Sequence, residues 1–267
     1  MNELLYGHRS LLIASALLAL MLASMSAGFR LGRDREAYSP EPVRTQVNTV
    51  LASMLGLLAL MLGFSFSLAL QRFEDRSQAV VSEANAIGTA YLRAGLLPAG
   101  IREAMQAQLR EYVDVRIRES GVDLANPSAR EALIREGDRI SMRLWGLAAR
   151  AVELDSRPAT TGLFLQVLND MIDAASTRQA ALDRHVPEIV LLLLLATILV
   201  TSGTLGYSSG VAGHRVAAPV YALTILIVCV AWLIIDLDRP RRGAIQVSHQ
   251  SLLDLQKSVG AARKDGR

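Results

Sequence analysis

VNTVLASMLGLLALMLGFSFSLAL, residues 47–70, holds no charged side chain over 24 positions. A bilayer core takes roughly 20 residues of α-helix, so this stretch is long enough to cross one. It runs directly into QRFEDRSQAVVSEANAIGTAYLRAGLL at 71–97, which is polar, has no glycine before Gly88 and no proline before Pro98. A single helix over 47–97 would be about 76 Å long at 1.5 Å per residue and would reach well past the bilayer into water. The other segments read as the scaffold that holds copies of this rod.

The 267 residues are 51% hydrophobic and 20% charged, with a mean hydropathy of +0.30. A positive average at this length describes an integral membrane protein rather than a soluble two-domain chain. The net charge of +3 comes from 28 basic and 25 acidic residues that are interspersed. No basic stripe forms, so nucleic acid is not an expected partner. The one cysteine, Cys229, lies in an apolar run and reads as a small packing residue. His8, His185, His214 and His249 are far apart, without metal-ligand spacing, and read as surface or interfacial residues. Neither a metal nor a cofactor is expected.

Outward from the rod, the first uncharged run is SLLIASALLALMLASMSAGF at 10–29. Arg9 before it and small residues at its end suggest a signal peptide. Its apolar core of about 18–20 residues exceeds the usual 7–15, which favours an uncleaved span. A polar loop with two prolines is expected over 30–46. Residues 71–185 read as helices throughout. Ile101, Met105, Leu109, Val113 and Ile117 form one amphipathic face. Ser128 and Glu131 make a capping-box signature for a helix over about 128–154. Another helix is expected over about 160–184. No hairpin signal or β alternation is present. A third span is expected at about 187–205, a Gly/Ser-rich turn at GYSSGVAGH (206–214), and a fourth span at about 216–235. The tail, 237–267, is polar and is expected to end in a disordered basic stub.

The fold class is therefore all-α membrane protein, with four transmembrane helices and a long helical block between the second and third. The expected divisions are 1–70, 71–185, 186–236 and 237–267. Four spans place both termini and the block on one side. Arg9, Arg72, Arg76, Arg178, Arg184, Arg239, Arg241 and Arg242 flank the spans there, against Arg30, Arg33, Arg35, Arg44 and Arg215 opposite. The positive-inside rule puts the block and the termini in the cytoplasm, and the protein in a plasma (inner) membrane.

On the rod, a helical period aligns Ser53, Gly56, Leu60, Phe64 beside Gly63, Ser67, Gln71, Asp75, Gln78, Ser82, Asn85 and Thr89. Phe73, Val80, Ala84, Ile87 and Tyr91 share the other face. A small and apolar strip that turns into hydroxyl, amide and carboxylate suits a pore-lining helix. Leu60 and Phe64 could form a constriction that gates by dewetting, and rings of Glu74 or Asp75 below it would favour cations. The same small residues also suit close helix–helix packing in lipid. Glu83, Asn85, Thr89, Tyr91 and Arg93 form a dense polar run that reads as a subunit contact, an ion-coordinating ring or a solvated face.

LGFSFSLALQRFEDRSQAV (62–80) resembles the second transmembrane helix and following segment of bestrophins, through Leu62, Gly63, Phe64, Arg72, Phe73, Glu74 and Arg76. ANAIGTAYLR (84–93) and IDLDRPRRGAIQVS (235–248) resemble an uncharacterised bacterial bestrophin-like family, and the four-span layout agrees over nearly the whole chain. The resemblance implies a homopentameric ion channel in which the second helix lines one central pore with an apolar neck. Carried across, the neck positions are Phe64, Leu60 and Gly56, the last without a side chain to constrict. The lining below is Ser67, Gln71, Glu74, Asp75 and Gln78. Paired tryptophans common in the family are replaced by Phe73–Glu74. Asp236 and Asp238 are too few for an animal-type calcium clasp, and are expected to pair with the arginines at 239, 241 and 242. The expected partners are other copies of this chain, the bilayer and small inorganic ions, with a lean towards cations from Glu74 and Asp75. Arg72 and Arg76 on the same turns could cancel that lean.

The competing class is a membrane-anchored scaffold or signalling protein with the helical block as docking module. The short tail leaves no room for an output domain. An enzyme is not expected: no HExxH, Walker A or strand-borne GxGxxG occurs, and GYSSG at 206–210, which fits GxSxG, lies in the turn expected between two spans rather than in a strand–turn–helix setting.

Overall fold

A computed structural model describes residues 10–35, 40–122, 127–213, 218–239 and 245–265. Among them the chain is helical, with no strand: α1 (Ser10–Arg33), α2 (Glu41–Ala94), α3 (Ala99–Gly121), α4 (Pro127–Leu154), a π-helical turn (Pro158–Gly162), α5 (Leu163–Asp183), α6 (Glu188–Val211), α7 (Ala218–Asp238) and α8 (Gln250–Asp265). Four helical stretches are long and apolar enough to cross a membrane, containing α1, α2, α6 and α7.

α2 is one uninterrupted helix of 54 residues, about 81 Å at 1.5 Å per residue. It begins at Glu41, six residues before the uncharged run, with Pro42 in the first turn, where its missing N–H costs nothing. Together with the extension of α1 to Arg33, this shortens the loop expected over 30–46. α2 ends at Ala94, with Gly95 directly after it, and Pro98 then disfavours helical geometry at Leu97.

The chain divides into two compact units: Met1–Arg72 with His185–Arg239 and Gly243–Ile245, and Phe73–Arg184 with Pro240–Arg242 and Gln246–Arg267. In the first, α1 and α6 approach until backbones touch. A Cβ on Gly28 would lie 1.9 Å from the Gly203 carbonyl oxygen, one on Gly206 1.9 Å from that of Met25, and one on Gly210 2.3 Å from that of Phe29. Only glycine fits these crossings, the small-residue packing that brings helices together in lipid. The expectation of a turn at GYSSGVAGH fails here for that reason. Gly206–Val211 remains helical because α1 fills the space the glycines leave, and the break comes at Gly213, whose φ is 70°. His214 lies outside the described residues, as does His8.

At the end of α7, Asp236 and Asp238 are fully buried. Asp238 accepts the Val186 N–H at 3.0 Å and Asp236 the Ile245 N–H at 3.0 Å, so backbone amides are among their partners. Arg241 and Arg242, the partners expected from sequence, lie outside the described residues.

The second unit has the larger core. Val80, Ala84, Ile87 and Tyr91 of α2 meet Ile101, Met105 and Leu109 of α3, Ile140 and Leu144 of α4, and Phe164 and Met171 of α5. As far as the structure describes it, the tail does not end in the disordered basic stub expected over its last residues: it forms α8 to Asp265. Leu252, Leu255 and Val259 recur at helical spacing and pack against this core, and Gln256 donates to Asp114 at 2.7 Å. α4 already begins at Pro127, which places Ser128 in its first turn, and Asn126 lies outside the described residues.

Candidate functional site

In the first unit, α2 buries Leu51, Leu58, Ser65 and Ala69, spaced seven, seven and four apart. The opposite face, with Ser53, Gly56, Leu60, Gly63, Phe64 and Ser67, is exposed. Leu60 is 57% and Phe64 64% exposed, and a Cβ on Gly56 or Gly63 would meet no atom within 4 Å. These two glycines therefore differ from those of α1 and α6: they hold no helix of the same chain. Ser53 donates back to the Thr49 carbonyl at 3.0 Å, so its hydroxyl needs no external partner in an apolar setting.

Gln71 is also exposed, and in the second unit so are Glu74, Asp75, Gln78, Ser82, Asn85 and Thr89. Arg76 turns the other way. It is 2% exposed and donates to the carbonyls of Ala181 at 3.3 Å and Arg184 at 2.7 Å. Its charge therefore leaves the face that carries Glu74 and Asp75, although their sequence proximity suggested cancellation. Arg72 is half-buried.

The polar run 83–93 does not act as one group. Asn85 and Thr89 share the exposed face, and the Thr89 hydroxyl donates to the Asn85 carbonyl at 2.9 Å. Arg93 donates to the Leu163 carbonyl at 3.1 Å, tying the end of α2 to the start of α5. Tyr91 is buried; its hydroxyl receives an Arg110 N–H at 3.0 Å and faces the Val259 carbonyl of α8 at 3.4 Å.

Glu83 is the centre of a cluster that sequence reading missed. It is fully buried, and its two carboxylate oxygens accept from Arg116 and Arg178. Arg116 also pairs with Glu119, and Arg178 donates to Ser120. Two buried cations thus meet two buried anions. Burial alone would lower the Arg116 pKa, but Glu83 and its neighbours raise it. Burial pushes the Tyr112 phenol, beneath the Arg116 guanidinium, up to about 12. The partners are 33 and 95 residues from Glu83, a separation that leaves no local pattern. Where α4 ends, Asp155 is held below the usual carboxylate range by the Arg157 side chain, the Thr160 hydroxyl and the Arg157 N–H. Among the described residues, no group of three or more His, Cys, Asp or Glu side chains is placed to hold a metal.

A family model described as Bestrophin-like domain matches residues 14–252. A solved variant of a bacterial bestrophin homologue from Klebsiella pneumoniae is similar in fold, with a TM-score of 0.65 at 15% identity over 91% of this chain and 97% of that one. A second variant gives 0.66 at 14% identity over the same shares. A structure described only as a membrane protein gives 0.63 at 14% identity over 92% of this chain and 97% of that one. No curated protein matches.

Proposed function

This chain belongs to the bestrophin-like family, and from that membership we propose that it is an oligomeric ion channel lined by the second helix. The observation that carries the reading is the outward face of α2. Leu60 and Phe64 are exposed on it, and Ser67, Gln71, Glu74, Asp75 and Gln78 follow at helical spacing, unburied by their own chain. Copies around an axis, five as in the family resemblance, would turn these residues into rings. The rings of Leu60 and Phe64 form an apolar neck that resists wetting, and Gly56 leaves the third position wide. Rings of Glu74 and Asp75 below it attract cations, and the inward turn of Arg76 leaves that attraction stronger. The arginine balance across the spans supports placing both termini and the 71–185 block on the cytoplasmic side of a plasma (inner) membrane.

Purified protein in liposomes, under opposed NaCl and KCl gradients, tests this by its reversal potential. A cation-selective current that Leu60→Ala and Phe64→Ala both enlarge is expected. No current from an intact oligomer contradicts the reading.

A further inference from the structure

The second unit also holds a cleft that the proposed pore does not use. It has a volume of about 740 Å³ and lies among α3, α4 and α5. That is within the range of small-molecule sites, roughly 300–1,000 Å³. Tyr112 and Arg116 of α3 line it, with Met142 and Trp145 on α4 and Ile172 on α5. Gly137, Ala175 and Ala180, also at its wall, supply the room. Met142 is 73% and Trp145 44% exposed, much apolar surface for a water-facing helix.

Charge decides what this cleft accepts. Arg116 is not a free cation for the cleft: Glu83, shared with Arg178, and Glu119 offset its charge and accept from its Nε and Nη1, leaving only its Nη2 without a hydrogen-bond partner among the described residues. Asp183 at the wall is paired with Arg130 at 2.8 Å. Asp138, also lining the cleft, is exposed and has no ion pair among the described residues. It stands seven residues before Trp145, two turns up the same face of α4. One free carboxylate beside an exposed indole and apolar walls is the chemistry that holds an organic ammonium ion.

We propose that the cleft among α3, α4 and α5 binds a small organic cation, its ammonium group against Asp138 and its apolar body against Trp145, Met142 and Ile172. An ammonium on a compact alkyl or aryl body satisfies both surfaces at once. A carboxylate ligand would face Asp138 with no unpaired cation to offset it.

The test is isothermal titration calorimetry of the full-length oligomer in uncharged detergent, with benzyltrimethylammonium, tetramethylammonium and benzoate as probes. Saturable binding of benzyltrimethylammonium is expected, with tetramethylammonium weaker for want of an aryl body and benzoate silent. Asp138→Asn and Trp145→Leu, both at exposed positions, should each weaken it about tenfold. Glu74→Gln should leave it unchanged, which separates this site from cation binding on the α2 face. Unaltered affinity in both cleft variants, benzoate binding as tight as the ammonium, or no saturable heat from an intact oligomer would each overturn the proposal. None of these outcomes depends on conduction.

Discussion

At the scale of single residues, the glycines divide by what surrounds them. Gly206→Ala would drive a methyl group into the Met25 carbonyl. It should cost about 1–3 kcal/mol, read as a lower midpoint for thermal unfolding in detergent. Gly56→Ala, with open space around it, should leave that midpoint unchanged or raise it by up to about 1 kcal/mol of helix propensity. Equal losses at both sites would contradict the packing described. A neighbour's backbone is invisible from sequence, which is why GYSSG reads as a turn and folds as a helix. The same holds for Glu83, whose partners lie far along the chain. Glu83→Gln leaves Arg116 and Arg178 without half their counter-charge and should cost about 3–5 kcal/mol in urea unfolding. Tyr112 provides a pH signature. Its phenol ionises near 10 when unfolded and at about 12 when folded. The stabilisation it carries is whole below pH 10 and is lost as pH rises through 12. Spectrophotometric titration should show one tyrosinate step delayed to that window, and Tyr112→Phe should remove it.

At the scale of elements, α2 was legible because its signal is local and repeated. Its uncharged run, the absence of proline between Val47 and Pro98 and the 3.6-residue period can all be read along the chain. The face from Ser53 to Thr89, chosen by period alone, lies within the surface its own chain leaves uncovered, which over the apolar half also takes in Leu57 and Leu68. What that face meets is a property of other copies or of lipid, and no period in one chain encodes it. α8 was not legible: its apolar residues are few and its surroundings basic, so only the core that receives Leu252 and Val259 makes it a helix. Leu252→Asp should therefore undock it. The expected result is a lower unfolding midpoint and rapid proteolysis after residue 245, with α1 and α6 protected. Tyr91→Phe, which removes only the hydroxyl between Arg110 and Val259, should cost nearer 1 kcal/mol.

At the scale of the whole molecule, the proposed channel has one face of α2 around an ion path. Glu74→Gln combined with Asp75→Asn should shift the reversal potential towards zero selectivity, because these carboxylates stand on that face while Arg76 is turned inward. The most direct measurement is cysteine accessibility in a Cys229→Ser background. Single cysteines at Leu60, Phe64, Ser67 and Gln71 would be compared with cysteines at the buried Leu58 and Ala69. A charged thiol reagent should change the current at the first four positions and leave it untouched at the other two. Modification without effect on current at Leu60, Phe64, Ser67 and Gln71 would contradict the central claim and leave the outward face of α2 as a surface for packing.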